Sequence, residues 1–143
     1  MNFQVSSEGC RQFIKQKESF RSLVYPDANG NPTIGWGHKL TPAEIESGIY
    51  KRGITQDTAD QIFLQDITPF EHQVNSFELP LSQGQFDALV DFTYNLGVND
   101  LSVLLSHGLD QVPLQLPRWI HAGGVVEPGL VSRRATEVEW WNS

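Results

Sequence analysis

At 143 residues and 16.1 kDa, the chain fits one ordinary domain, which at this size buries roughly 68–70% of its extended surface without help from disulfides or metal. A net charge of −7 and a pI near 4.9 exclude nonspecific nucleic-acid binding and docking on an anionic bilayer. The single cysteine, Cys10, excludes an internal disulfide, and 39% hydrophobic with 19% charged residues excludes disorder.

The start of the chain, Met1 to Glu8, has neither a basic leader nor an apolar run of signal length. No uncharged stretch of about 18 apolar residues follows. The expectation is a cytoplasmically made protein with no signal peptide and no membrane span.

The first predicted helix runs from Ser6 or Ser7 to Glu18, with Cys10, Phe13, Ile14 and Lys17 at helical spacing and a serine as cap. Leu23-Val24-Tyr25 and Thr33-Ile34-Gly35-Trp36 are β-prone and flank a polar turn from Pro26 to Pro32, which predicts a hairpin. Thr41-Pro42-Ala43-Glu44 is a capping box with proline at the first helical position, and Gly48 can close that short helix.

Thr55 caps the next helix, whose buried stripe is Ala59, Ile62, Phe63, Ile67, Phe70 and Val74. Pro69 is expected to kink or divide it. Ser82-Gln83-Gly84-Gln85 is a second capping box and opens a central buried helix that Gly97 ends. Shorter helical pieces are expected at about 100–106 and 113–122, and a last helix at about 129–141. A small antiparallel sheet beside many helices makes an α+β fold, with a cleft expected where the two parts meet. The expected organisation is one domain over 1–143, its small β lobe at about 19–40.

Glu18, Asp27 and Thr33 bracket the hairpin. Glycoside hydrolysis needs two carboxyl groups in different protonation states, one to protonate the leaving oxygen and one to activate water or attack the sugar. Glu18 at a helix end beside Phe20 can lie on apolar surface, where desolvation favours the neutral acid. Asp27, in a turn rich in Asn and Gly, stays ionised. The Thr33 hydroxyl can hold a water near Asp27. Taken singly, each has an ordinary reading: a solvated charge, a turn former, a strand threonine.

The order Glu18, Asp27, then Thr33-Ile34-Gly35-Trp36-Gly37-His38 resembles the phage-type lysozymes, family 24 of the glycoside hydrolases. The resemblance continues through Phe63-Leu64-Gln65-Asp66, Gln85 to Val90, Tyr94-Asn95-Leu96-Gly97, Arg118-Trp119 and Pro128 to Arg134, so it spans about Glu8 to Trp141. It implies a lysozyme-like fold and an endolysin-type muramidase that cleaves the β-1,4 bond between N-acetylmuramic acid and N-acetylglucosamine in peptidoglycan. Glu18 then matches the general acid, Asp27 the carboxylate on the opposite sugar face, and Thr33 the residue that helps place the water. A threonine there favours inversion of the anomeric centre.

The resemblance also makes Gly35, His38 and Asn95 substrate-binding positions, and pairs His38 with Asp66 in a salt bridge tying the sheet lobe to the helical lobe. Arg134, or Arg133, would approach Glu18 from the last helix. Asn95 is equally readable as a helix-capping amide. The four tryptophans read as core rather than sugar platforms. His38, His72, His107 and His121 have no metal-ligand spacing, so no metal and no cofactor are expected.

As implied partners there remain bacterial peptidoglycan, no nucleic acid, action as a monomer, and a holin to open the route from cytoplasm to wall. A competing reading is a catalytically silent lysozyme-fold module that binds glycan or protein, which the acidic charge favours. Intact Glu18, Asp27 and Thr33 count against it.

Overall fold

A computed structural model describes residues 3–143; Met1 and Asn2, where the stretch read as lacking a leader begins, lie outside them. The chain divides into two compact units, one of Arg11–Pro69 and one joining the stretch through Cys10 to Phe70–Ser143. The boundary falls inside two helices, α1 (Glu8–Glu18) and α3 (Gln56–Asn75).

The Arg11–Pro69 unit holds a three-stranded antiparallel sheet of β1 (Arg21–Pro26), β2 (Pro32–Gly35) and β3 (His38–Lys39), in that order. The hairpin was legible, but the third strand was not, because His38-Lys39 is only two residues long. β1 pairs Tyr25 with Thr33 and Arg21 with Gly35, with a register shift between them. β2 is the middle strand and the buried one. Thr33 faces Tyr25 on one side and Lys39 on the other.

The short α2 (Pro42–Ser47) begins with both halves of the expected capping box and ends at Gly48 in the left-handed conformation. Thr55 caps α3 by accepting a hydrogen bond from the Thr58 N–H at 3.2 Å. This unit buries Ile14, Ile34, Ala59, Phe63 and Ile67.

α3 runs through Pro69 without division. A proline in mid-helix removes one N–H, and Thr68, one residue earlier, gives its hydroxyl proton to the Leu64 carbonyl at 2.7 Å. Helical pairing on both sides keeps the helix continuous.

In the other unit the central element is α4 (Gln83–Leu96), which pairs its Ser82 capping box with burial of every residue from Phe86 to Thr93. It packs against α5 (Val98–Leu105) and α7 (Pro128–Trp141). The α4–α7 approach is close: a Cβ on Gly84 would fall on the Trp140 carbonyl oxygen, so only glycine fits there. The N-terminal strap is held by acids. Ser6 gives its N–H and hydroxyl to Glu71 at 2.6 Å each, and Ser7 gives the same two groups to Asp87 at 2.9 and 2.5 Å. Ser7 also caps α1 through the Cys10 N–H.

Residues 113–122 depart from the expected helix. The chain makes a 3-10 turn at Leu109–Gln111, one turn of α6 (Val112–Gln115) and another 3-10 turn at Leu116–Arg118. An exposed hairpin follows, β4 (His121–Ala122) with β5 (Val125–Val126). Pro113 and Pro117 restrict helix growth, and Gly123-Gly124, both at positive φ, supply the two-residue turn.

Candidate functional site

The structure places Glu18 at the last residue of α1 and folds the β2–β3 turn onto it. The contact is close. Gly37 has φ +85°, and a Cβ added there would stand 2.7 Å from Glu18 Oε2. Glycine suits the left-handed backbone and leaves the Glu18 carboxyl where it is, since a Cβ would push that side-chain end aside. Gly37→Ala is therefore expected to displace that carboxyl, lowering any activity that depends on it about ten- to a hundredfold. The left-handed strain adds about 1–2 kcal/mol of destabilisation. Initial rates and thermal melts of the purified variant check this; wild-type rates would contradict it.

Asp27 opens the loop between β1 and β2. Its Oδ1 accepts the backbone N–H groups of Asn29 and Asn31, both at 2.8 Å, and its own N–H donates to the Asn31 carbonyl. Oδ2 has longer contacts: the Asn31 side-chain amide at 3.4 Å and Lys39 Nζ at 3.9 Å. The Asn31 N–H, foremost, with Asn29 and Lys39, outweighs partial desolvation and holds the carboxyl below its usual range. Asp27 is an anion with one oxygen occupied by its own loop and the other more lightly held.

Thr33 is 2% exposed, and its hydroxyl donates to the Asn31 carbonyl at 2.8 Å. With that proton committed, the oxygen has only acceptor capacity left. Asn31 thus links Thr33 to Asp27. Lys39, Asn29 and Asn31 were not singled out from sequence, although Asp-x-Asn-Gly-Asn is a readable side-chain-to-backbone turn pattern.

Gly35 is buried at φ +68°, and a Cβ there would stand 3.2 Å from Ala59 Cβ and 3.3 Å from Ile54 Cδ1, tighter than ordinary packing. His38 lies between two carboxylates. Nδ1 is 2.8 Å from Asp66 Oδ2, and Nε2 is 2.9 Å from Glu44 Oε1. Carboxylates only accept, so both ring nitrogens carry protons and the imidazole is a cation. Asp66 foremost, then Glu44, overcomes the cost of burial and raises its pKa to about 9. Both ring nitrogens are thereby occupied by carboxylates of the same Arg11–Pro69 unit. The bridge with Asp66 joins two residues of the same Arg11–Pro69 unit. Glu44 was missed as its second partner because it reads as a capping residue.

Folding raises the His38 pKa, so the stability it supplies is complete below about pH 6.5 and fades as pH climbs through about 9. Its size is on the order of 1–2 kcal/mol, allowing for solvent at the two partly exposed carboxylates. Urea unfolding of wild type and Asp66→Asn across that window is expected to show the wild-type decline and a flatter variant curve. Parallel curves would contradict it.

Asn95, in the last turn of α4, accepts a hydrogen bond from Arg134 Nη2 at 2.8 Å. Arg has no acceptor, so the amide oxygen faces it and the Asn95 NH2 faces elsewhere. Arg134 also bonds Glu137 through Nη2 at 2.8 Å; its Nε comes equally near Glu137 Oε1 but out of line for a hydrogen bond. Arg133 pairs with Asp91 through Nε and Nη2, the shortest contact 2.7 Å. Burial, then hydrogen bonding and charge from Asp91, keep the Glu137 pKa well above the usual carboxylate range against the pull of both arginines. Among the described residues no cluster of three or more His, Cys, Asp or Glu is placed to hold a metal ion. No helix among them is long and apolar enough to cross a membrane.

Residues 15–137 match the phage lysozyme family model, and the chain belongs to the phage lysozyme family. The endolysin of Bacillus phage PZA is 35% identical over 98% of this chain and 55% of its own length. The endolysin of Salmonella phage P22 is 34% identical over 66% of this chain and 64% of its own. The chain thus spans between half and two thirds of these curated relatives. Among solved structures, the muramidase domain of SpmX from Asticaccaulis excentricus superposes with a TM-score of 0.78 at 26% identity, covering 98% of this chain and 99% of that one.

Proposed function

We propose that the chain is an endolysin-type muramidase hydrolysing the β-1,4 bond between N-acetylmuramic acid and N-acetylglucosamine in bacterial peptidoglycan. The observation that supports it most is that one unit holds both a carboxyl set close against the Gly37 turn and a second, loop-held anion. Glu18 protonates the leaving oxygen. Asp27 accepts a proton from water through Oδ2, the oxygen its own loop holds more lightly. Thr33 accepts a second hydrogen bond from the same water, which turns a lone pair toward the anomeric carbon and gives inversion. Asn95, with its amide oxygen on Arg134, donates to an acceptor on the sugar, and Gly35 supports the turn beside the cleaved bond.

By the same family resemblance, the protein is one catalytic domain, acts as a monomer without cofactor, and reaches the wall from the cytoplasm through a holin lesion. The net charge of −7 favours the competing reading, a silent module that binds glycan or protein.

Digestion of purified peptidoglycan with end-group analysis separates the two. New reducing ends, first formed as the α-anomer by NMR, are expected. Anhydro-sugar ends would mean transglycosylation, the β-anomer retention, and binding without cleavage the silent module.

A further inference from the structure

Two side chains that flank Glu18 converge on one carboxylate. Asp60, near the start of α3, accepts a hydrogen bond from Trp36 Nε1 at 2.8 Å, and Lys15 Nζ stands 3.1 Å from the same oxygen. Lys15 also lies over the rings of Trp36 and Phe63, 5.8 and 5.4 Å from their centroids, and its side chain is only 13% exposed. Phe20 packs on Trp36 with ring centroids 5.3 Å apart.

The positions of these partners matter more than their number. Lys15 sits three residues before Glu18 on α1, one helical turn away and on the same face. Trp36 immediately precedes Gly37, the glycine that encloses the Glu18 carboxyl, while Ala59, next to Asp60, packs on Gly35. An exposed Lys–Asp pair contributes little by itself. Here the lysine is covered by aromatic rings and the carboxylate also satisfies an indole N–H, so the group is a built junction.

We propose that Asp60 is a positioning residue for Glu18: by holding Lys15 and Trp36 at one point on α3, it fixes the helix end bearing the acid against the turn that encloses it. This rests on Glu18 being the acid of the muramidase reading. Asp60 touches no reacting atom; it acts through its two partners. Misplacement of a reacting group by about 1 Å can cost on the order of a hundredfold, so a loosened turn lowers turnover rather than affinity.

The test uses the full chain on a soluble, uncrosslinked peptidoglycan oligosaccharide. Asp60→Ala is expected to lower kcat at least tenfold with KM within twofold. Asp60→Asn, whose amide oxygen still accepts from Trp36, recovers to within threefold of wild type. Trp36→Phe reproduces the loss, and the double variant Trp36→Phe/Asp60→Ala is no slower than either single change. Additive losses, a rise in KM at unchanged kcat, or wild-type kcat in folded Asp60→Ala overturn the proposal. An active wild type that keeps its rate in Glu18→Gln removes the acid assignment and this inference together, whereas loss in Glu18→Gln with full turnover in Asp60→Ala removes the inference alone.

Discussion

Glu18→Gln is expected to reduce peptidoglycan hydrolysis about 10²–10⁴-fold while leaving glycan binding and folding intact. Glutamine keeps the size of the side chain beside Gly37, so the enclosing turn stays as it is, but an amide cannot supply the proton that the leaving oxygen needs. Asp27→Asn is expected to be comparably slow for a different reason. The asparagine oxygen can still accept the Asn29 and Asn31 N–H groups, so the loop persists and what disappears is the negative charge. Rates on purified peptidoglycan, with melts to verify folding, check both. A folded Glu18→Gln at wild-type rate would remove Glu18 from the reaction, and full activity in Asp27→Asn would transfer the chemistry to a single-carboxylate mechanism.

Breaking the Asp91–Arg133 pair is expected to have the largest effect on stability. Asp91 is fully buried and the Arg133 side chain is 8% exposed, with the shortest contact 2.7 Å. Arg133→Met leaves Asp91 beside Glu137, two buried acids short of one cation, and is expected to cost about 3–5 kcal/mol. Replacing both, as Asp91→Leu with Arg133→Met, is expected to cost much less, because no charge is stranded. Chemical denaturation of the two singles and the double measures the coupling. Single losses under 1 kcal/mol would show that water or rearrangement relieves the stranded acid.

Features written in local chemistry were readable. Both capping boxes stand where Thr41-Pro42-Ala43-Glu44 and Ser82-Gln83-Gly84-Gln85 put them, and the stretch carrying Phe86, Leu89 and Val90 after Ser82 forms the buried helix. The family, and with it the α+β architecture, was legible in the run from Thr33 to His38. Features that depend on distant partners were not. Asp91 and Glu137 look like the polar face of helices, yet both are fully buried because two arginines meet them. Asp60 reads as an ordinary helix-start acid until the fold brings Trp36 and Lys15 to it. Pro69 does not divide α3, since a proline's local cost does not include the pairing on either side that carries a helix across it. Gly123-Gly124 was a turn signal overlooked in favour of extending a helix.

One oxygen in α2 has two obligations. Glu44 Oε1 accepts the Thr41 N–H at 2.8 Å, completing the cap, and lies 2.9 Å from His38 Nε2. The onset of a six-residue helix is thereby joined to the charge of an imidazole on the neighbouring strand. In alkaline solution, amide hydrogens in the first turn of α2 should exchange with solvent sooner than intrinsic base catalysis alone dictates, and local opening there should precede loss of the sheet.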